Sequence, residues 1–236
     1  PHVTLITQYR FTESAVVRAF CASTFDAIIP QEQKLHFDSY DVGVYLDGVL
    51  ERDHSVEGYS CRHRVQILMD WFGLSGRVNW STERSWAKSK HILFQTGGSW
   101  LHKELPPETR EFVIASLRKR KYDVRLAGRD NPLSSEDFLE LIASAACVVT
   151  MDSSPLWVSH FTKTPCVLLL GPTRESERLT MHPLYPERAV AIALNKLVDC
   201  PSCFEKMDRC RGRLDCLNVD KKRVAKLVLR AVRRVM

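Results

Sequence analysis

Between residues 148 and 173 the chain reads VVTMDSSPLWVSHFTKTPCVLLLGPT, with signals for a strand, a polar turn, a helix and a second strand in immediate succession. The run from Val167 to Leu170 is continuously apolar, as in a strand covered on both faces. This order builds a parallel sheet, whose ligands bind beyond the carboxyl ends of the strands. The polar turn Asp152, Ser153 and Ser154 is therefore predicted to hold a phosphate at the helix N-terminus.

The composition is that of an ordinary globular protein. The chain has 236 residues, 44% of them hydrophobic and 26% charged, which suffices for one large domain or two compact ones. No apolar run approaches the ~20 residues that span a bilayer, so we expect no transmembrane segment. The start PHVTLITQYRF is predicted to be a strand, without the basic and apolar regions of a signal peptide. The expected localisation is cytoplasmic.

Strand and helix signals divide the chain into three parts. Residues 1–80 are predicted to form a small Rossmann-like domain, residues 90–198 a regular Rossmann-like domain, and residues 199–236 a Cys-rich loop followed by a helix. The polar segment 78–89, which lacks a continuing period, is the predicted linker. In the first part we predict strands near residues 3–7, 26–29 and 42–46, with helices after Thr12 and around residues 62–72.

The second part alternates strands and helices at a spacing that implies parallel strands joined by right-handed crossovers. Its predicted strands are residues 91–95, 123–127, 147–151 and 166–170, and its predicted helices are residues 107–120, 135–145 and 155–162.

The eight cysteines fall into two groups. Four lie in apolar stretches and are predicted to be inert, small hydrophobic side chains: Cys21, Cys61, Cys147 and Cys166. The other four form C-x2-C-x6-C-x5-C in a polar, basic loop, a pattern that favours a structural zinc or iron site in a reducing compartment. The alternative is a set of free or partly disulfide-bonded thiols. The ligands would be Cys200, Cys203, Cys210 and Cys216.

The net charge of +6 is concentrated near the C-terminus. Apolar residues recur there at helical spacing, so one face of the predicted helix is expected to be buried and the other basic. The basic face is either a solvated outer surface or a contact for an anionic partner, a lipid surface or a nucleic acid. Its basic residues are Lys221, Lys222, Arg223, Lys226, Arg230, Arg233 and Arg234.

A glycine turn follows the predicted strand 91–95. Gly97 and Gly98, between Thr96 and Ser99, permit the backbone to approach a bound group closely. Lys103 follows within reach, and a cation beside such a turn suits a pyrophosphate. This turn and the turn at Asp152 are expected at the same edge of the sheet.

The segments QTGGSWLHKELPPE and VRLAGRDNPLSSEDFLELIASAACVVTMDSSPLWVSHFTKTPCVLLLGPT resemble the donor-binding half of the heptosyltransferases of lipopolysaccharide synthesis, glycosyltransferase family nine. The resemblance covers roughly residues 90–173, and the Cys-rich end is also similar to the ends of some members. It implies a GT-B fold: two Rossmann-like α/β domains with parallel sheets facing a cleft, here with a reduced N-terminal domain. It also implies inverting transfer of a sugar from a nucleotide diphosphate to an acceptor hydroxyl, without a catalytic metal.

The resemblance assigns donor contacts. The family's phosphate-binding lysine falls on Lys103, which is also a candidate catalytic group. Its aspartate-threonine-glycine turn, which holds the nucleotide, falls on Asp152, Ser153 and Ser154, with Ser154 in place of the glycine. Thr96, Gly97, Gly98 and Arg129 are further candidates, and Arg174 and His182 are expected to close over the donor. His160 is interpreted as a helix-packing residue.

The general base is expected in the N-terminal part. The family places an acidic residue after the first strand, and the matching stretch points to Glu13. An acceptor hydroxyl must lose its proton as it attacks the anomeric carbon, which a positioned carboxylate accomplishes. Asp47, at the end of the predicted strand 42–46, is the alternative base, and Arg10 is a further cation for the departing diphosphate.

Three functions stand at this point. The first is transfer of a heptose or similar sugar to a glycan or lipopolysaccharide-type acceptor, with possible peripheral contact to a membrane. The second is sugar transfer to hydroxymethylated DNA or to protein, since the basic C-terminal helix suits a polyanion. The third is a non-enzymatic, metal-stabilised module that binds polyanions.

Overall fold

The computed structural model describes residues 4–7, 27–30, 86–97, 103–128, 130–200 and 213–236. Strands and helices are numbered here along these residues. The strands are β1 Thr4–Thr7, β2 Ala27–Pro30, β3 Ile92–Gln95, β4 Val124–Ala127, β5 Cys147–Met151, β6 Cys166–Leu170 and β7 Ala189–Ala193. The helices are α1 Pro107–Lys119, α2 Ser135–Ser144, α3 Ser154–Thr162, α4 Glu175–Arg178 and α5 Lys221–Val235, with 3-10 turns at Asn195–Leu197 and Asp215–Leu217.

A five-stranded parallel sheet in the order β4-β3-β5-β6-β7 lies at the centre of these residues. Strands β3, β5 and β6 are buried throughout, because nearly all of their residues are apolar on both faces. The parallel α/β arrangement predicted for residues 90–198 is confirmed, and the four predicted strands agree with the observed bounds to within one residue. The edge strand β7 was not predicted.

Helices cover both faces of this sheet. On one face α1 and α5 pack against each other and over Ile92 and Phe94 of β3. On the other face α2 and α3 pack together over Leu93. The alternation along β3 follows from the pleat, which turns successive side chains to opposite faces. The two helix layers therefore leave the edges of the sheet as the places where loops meet.

The helix starts follow their sequence signals. At α2 the Ser134 side chain caps the helix by accepting the Asp137 N–H at 3.0 Å. Helix α1 begins with Pro107 at its first position, where a missing N–H costs nothing. The three predicted helices of residues 90–198 are confirmed, each ending at or within one residue of its predicted end.

The C-terminal helix α5 has the two faces predicted for it. Asp220 caps its start by accepting the Arg223 N–H at 2.8 Å. Its apolar stripe is buried in the same core cluster as α1 and β5, so residues 213–236 share a core with the five-stranded sheet. The buried residues of this stripe are Val224, Ala225, Val228, Val232 and Val235.

The N-terminal part contributes a parallel strand pair. Strands β1 and β2 pair in register from Thr4 opposite Ala27 to Thr7 opposite Pro30. Both lie where strands were predicted, which agrees with an α/β beginning of the chain. The predicted strand at residues 42–46 and the helices after Thr12 and around residues 62–72 lie outside the described residues. The two-domain GT-B arrangement stays a prediction.

Two of the scattered cysteines are described. Cys147 and Cys166 are buried thiols in adjacent strands, which confirms them as small hydrophobic side chains. Burial raises the pKa of the Cys166 thiol to about 12, so this thiol stays protonated and inert. Of the helices within the described ranges, none combines the length and hydropathy needed to cross a membrane.

We expect Val228→Ala to lower the free energy of unfolding by about 2 kcal/mol. The Val228 side chain of α5 is completely buried in the core shared with the sheet, so its truncation leaves a cavity. Urea denaturation measures the change. Arg230→Ala, at an exposed position of the same helix, is the matched control and should stay within about 0.5 kcal/mol of the wild type. Equal effects of the two variants would contradict the packing of α5 against the sheet.

Candidate functional site

The described sheet has a topological switch point between β3 and β5. From β3 the chain passes to β4 on one side, and after α2 it returns to β5 on the other side. Loops that leave neighbouring strands in opposite directions open a crevice at the carboxyl edge, where ligands of such sheets bind. A pocket lies there, lined by Phe94, Gln95, Thr96, Gly97, Lys103, Glu104, Leu105, Arg110, Val149, Thr150, Met151 and Leu169.

Gln95 connects the two sides of this crevice. Its Oε1 atom accepts the Met151 N–H at 3.1 Å and the Ser153 hydroxyl at 2.6 Å, and it also accepts a hydrogen bond from the Thr150 hydroxyl. The Met151 N–H can only donate, so the amide oxygen must face β5. The amide nitrogen then donates to the Gly97 carbonyl at 2.8 Å. One buried side chain thus joins β3, β5 and the start of α3.

The turn after β3 is held against the turn after β4. Gly128 has φ of +141°, and a Cβ there would lie 2.8 Å from the Gly97 nitrogen and 2.9 Å from the Thr96 hydroxyl oxygen. Only glycine therefore permits this approach. The Thr96 N–H donates to the Ala127 carbonyl at 2.8 Å, which fixes the backbone of the predicted turn.

Two cationic side chains line the pocket. Lys103, the predicted phosphate contact, forms part of its wall. Arg110 donates to the Thr96 carbonyl and pairs with Asp130, with 3.0 Å between guanidinium and carboxylate. The structure therefore places Thr96, Gly97 and Lys103 around one pocket. Gly98 and Arg129 lie outside the described residues.

The turn after β5 leads directly into helix α3. Ser153 occupies the N-cap position, but its hydroxyl donates a hydrogen bond to the Gln95 side chain. Among the described residues, no side chain caps the helix. Ser154 is exposed at the first helical position. The helix N-terminus therefore offers backbone N–H groups at the edge that carries the pocket, and such groups favour an anion.

Asp152 points into the protein interior. Its carboxylate lies 2.5 Å from the Arg178 guanidinium, and both side chains are buried. Arg178 also lies 3.7 Å from the carboxylate of Glu177, which is buried too. In the described structure, Asp152 thus anchors the turn after β5 to α4. A buried ion pair of this kind is costly to break on one side.

His182 lies behind α3 and is only 3% exposed. Its Nδ1 atom accepts the Leu184 N–H at 3.1 Å, and its Nε2 atom lies 3.3 Å from the Ser159 hydroxyl oxygen. The ring centroid of His160 is 4.5 Å away, and the His160 Nδ1 atom donates to the Leu156 carbonyl at 2.9 Å. The structure thus confirms His160 as a packing residue and places His182 beside it.

Both histidines are neutral in the folded protein. Burial lowers the pKa of His160 to about 4. Burial, and then the neighbouring His160, lower the pKa of His182 to about 3. Arg174, the other residue predicted to close over the donor, is exposed directly before α4.

Two of the four cysteines in the Cys-rich segment are described. Cys200 follows the Asn195–Leu197 turn, and its N–H donates to the Asn195 carbonyl at 2.9 Å. Cys216 lies in the Asp215–Leu217 turn, and the two turns contact each other. The turn before the Cys-rich loop is therefore in contact with the turn after it. No group of three metal-ligating side chains occurs among the described residues, whereas Cys203 and Cys210 lie outside them.

The predicted bases Glu13 and Asp47, and the cation Arg10, also lie outside the described residues. The sequence reasoning did not identify Gln95, Arg110 or Arg178 as site residues. A polar residue at the last position of a buried strand was the available signal for Gln95. No sequence signal identified Arg178, because an arginine in a short charged segment usually lies at the surface.

The solved structures with a similar fold include two crystal structures of glycosyltransferases. A dodecameric iron-containing heptosyltransferase, TibC, in complex with ADP-D-beta-D-heptose matches with a TM-score of 0.54 and 15% identity, over 100% of this chain and 77% of that chain. The iron-containing dodecameric glycosyltransferase TibC from enterotoxigenic E. coli H10407 matches with a TM-score of 0.54 and 16% identity, over 98% and 68% of the two chains. Neither a protein family nor a curated protein matches in sequence. The likeness shows a glycosyltransferase-like fold.

We expect the free energy of unfolding to fall as the pH drops below about 6.5, and to go on falling towards about pH 4. The unfolded chain takes up protons on His160 and His182 in this range, while the folded chain keeps both rings neutral. Because each unit of pKa shift corresponds to about 1.4 kcal/mol, the pair should account for a few kcal/mol. Urea denaturation between about pH 7 and about pH 5 measures the slope.

His182→Asn is the informative variant for this prediction, since the amide oxygen can still accept the Leu184 N–H but does not titrate. Its stability should depend less steeply on pH than that of the wild type. His91 is also buried with a lowered pKa, so some slope should remain. A stability that does not change between neutral and acidic pH would show that the two rings are not buried together.

Proposed function

We propose that this protein is a glycosyltransferase that takes a sugar from a nucleotide-diphospho donor bound at the carboxyl edge of the five-stranded sheet. The observation that carries the proposal is the pocket at the switch point between β3 and β5, with Lys103 in its wall and the N-terminus of α3 at the same edge. A cation in the pocket wall and backbone N–H groups at the same edge of the sheet suit a diphosphate. The similarity in fold to the TibC structures supports the same function.

The donor is proposed to be a nucleotide-diphospho sugar, with heptose as the first candidate sugar. One of the similar structures holds ADP-D-beta-D-heptose. In this chain Lys103 would contact the diphosphate, and Ser153 and Ser154 would approach it from the start of α3. Thr96, Gly97, Gly98 and Arg129 would form the opposite wall. The turn after β5 is held by Gln95, whose amide oxygen accepts the Met151 N–H and the Ser153 hydroxyl.

The acceptor is proposed to enter from the N-terminal part, residues 1–80, across a cleft of the GT-B kind. Its hydroxyl would attack the anomeric carbon as Glu13 takes the proton, and the bond from that carbon to the diphosphate would break with inversion. Asp47 is the alternative base. The negative charge that develops on the departing diphosphate would be met by Lys103 and the start of α3. The acceptor is proposed to be a glycan or lipopolysaccharide-type hydroxyl.

The Cys-rich loop is proposed to hold one structural zinc or iron ion between Cys200, Cys203, Cys210 and Cys216. The contact between the turn that precedes Cys200 and the turn that carries Cys216 supports this, because it brings the two ends of the loop close together. The similar structures are of iron-containing proteins. Four thiolates would leave no open coordination position for a substrate or water. The ion would therefore have a structural role and stabilise the loop.

We expect Lys103→Ala to lower kcat/KM for sugar transfer by about 10²-fold, because the diphosphate then departs without its lysine contact. The assay offers a panel of nucleotide-diphospho sugars together with glycan, protein and hydroxymethylated DNA acceptors, and it detects the released nucleotide and the modified acceptor. The same assay distinguishes the two candidate bases. Glu13→Gln should abolish transfer if Glu13 is the general base, and Asp47→Asn should abolish it if Asp47 is the general base.

Lys119→Ala is the matched control for Lys103→Ala, since it removes an exposed lysine at the far end of α1 from the pocket. It should keep wild-type activity, and both variants should keep the wild-type melting temperature. Transfer that survives Lys103→Ala unchanged would contradict the placement of the diphosphate. No turnover of any donor, with no nucleotide binding by calorimetry, would refute the enzymatic function and favour a binding module.

We expect the purified full chain to contain about one iron or zinc ion per molecule, as measured by plasma mass spectrometry. Cys203→Ser should lose most of the metal and lower the melting temperature, because three thiolates hold the ion less tightly. Cys166→Ser is the matched control, since Cys166 is buried in β6 beside the Ser159 hydroxyl. A metal-free protein, or equal metal in both variants, would contradict the site.

A further inference from the structure

The exposed face of α5 carries a dense stripe of cations. Its fifteen residues include no acidic one. At 3.6 residues per turn, all six of its exposed basic residues fall within an arc of about 120°, opposite the buried stripe centred on Val228. These residues are Lys222, Arg223, Lys226, Arg230, Arg233 and Arg234.

Most of these charges are not compensated. In the described part of the chain, the side chains of Lys222, Lys226, Arg230 and Arg233 make no ion pair or hydrogen bond, whereas Lys221 at the start of α5 pairs with Glu108 and lies over the Phe112 ring. Cations that repel one another at close range raise the local positive potential. An anionic partner would gain from this arrangement, which the folded chain does not itself neutralise.

A second cluster of cations continues the stripe. The pair between Lys221 and Glu108 joins the starts of α5 and α1, and the Arg188 guanidinium, before β7, donates to the Val235 carbonyl at 3.0 Å. Both helices therefore start at the carboxyl edge of the sheet and end at its amino edge. The exposed residues Lys119, Arg120 and Lys121 at the end of α1 thus lie at the same end as Arg233.

We propose that this surface docks the protein on an anionic phospholipid membrane. The surface, called the basic layer below, consists of Lys119, Arg120, Lys121, Lys222, Lys226, Arg230 and Arg233. A membrane attracts each cation that lies near its plane, so a broad surface of lysine and arginine suits it. The basic layer has this form because two helices lie side by side in one face of the molecule.

The same geometry disfavours a nucleic acid. The two neighbouring helices form a surface about 20 Å wide, which is broader than the major groove of DNA at about 12 Å and suits a flat partner better. The basic layer also lacks aromatic side chains for stacking on bases and amide side chains for reading base edges. The exposed acidic residues Glu108 and Glu111 lie near the start of α1, at the end of the layer that carries Lys222, where Lys221 pairs with Glu108. At the opposite end, Asp123 pairs with Arg125.

Docking through the basic layer would fix the direction of the pocket. The layer covers one face of the sheet, while the pocket opens at the carboxyl edge of the strands. An edge is perpendicular to a face, so the pocket would open sideways, along the membrane. This proposal concerns a surface separate from the donor pocket, and it holds whether or not the protein transfers a sugar.

The test is cosedimentation of the full chain with vesicles of phosphatidylcholine alone and with vesicles in which roughly a third of the lipid is phosphatidylglycerol. We expect at least tenfold stronger binding to the anionic vesicles, weakened by high salt. The double variant Lys226→Glu with Arg230→Glu should lose at least tenfold of that affinity, because it reverses two charges at the centre of the layer.

The matched control is Lys90→Glu with Lys163→Glu, which changes the net charge equally at exposed positions near the ends of α2 and α3, on the other face of the sheet. It should change binding by less than threefold, and circular dichroism should show that both double variants fold. Lys222→Gln with Arg233→Gln provides a second, milder variant. Equal loss in both charge reversals, no preference for anionic vesicles, or binding to duplex DNA without binding to vesicles would overturn the proposal.

Discussion

The candidate site depends on the hydrogen bonds of one buried amide. Gln95 ends β3 and binds the end of β5 through the Met151 N–H and the start of α3 through Ser153. A buried acceptor that loses its partners costs ~1–3 kcal/mol, and three donors here depend on a single oxygen. A carboxylate at this position could accept the same bonds but could not donate to the Gly97 carbonyl. The amide therefore fixes both walls of the crevice at once.

A buried ion pair fixes the position of the turn after β5. Asp152 and Arg178 form an ion pair whose burial is unfavourable unless the geometry compensates for lost hydration. The buried ion pair and the two buried, neutral rings of His160 and His182 form a polar layer next to α3. An apolar core would be the usual arrangement at such a position. Such a layer specifies one arrangement of α3 and α4, since a shifted helix would leave buried polar groups without partners. The N-terminus of α3, at the edge of the sheet that carries the pocket, is positioned by this layer.

The sequence predicted the sheet well and the site only in part. Strands β3, β5 and β6 could be recognised because continuous apolar runs report burial on both faces. Strand β7 could not, since its small alanines resemble many helix and loop segments. The position of Lys103 in the pocket wall could be predicted, because Lys103 lies only a few residues after the glycine turn in the sequence. The contacts of Arg178 and His182 depend on residues about 25 positions away, and no local pattern reports them.

Helix α1 places cations at two opposite edges of the sheet. A right-handed crossover from β3 places the start of α1, with Arg110, at the pocket and its end, with Lys119, at the opposite edge. A helix of 13 residues spans about 20 Å, while charges in physiological salt are screened over about 8 Å. Anions bound at the two ends therefore compete little for the same cations. The cations at the two ends of α1, Arg110 beside the pocket and Lys119 in the basic layer, therefore act almost independently of each other.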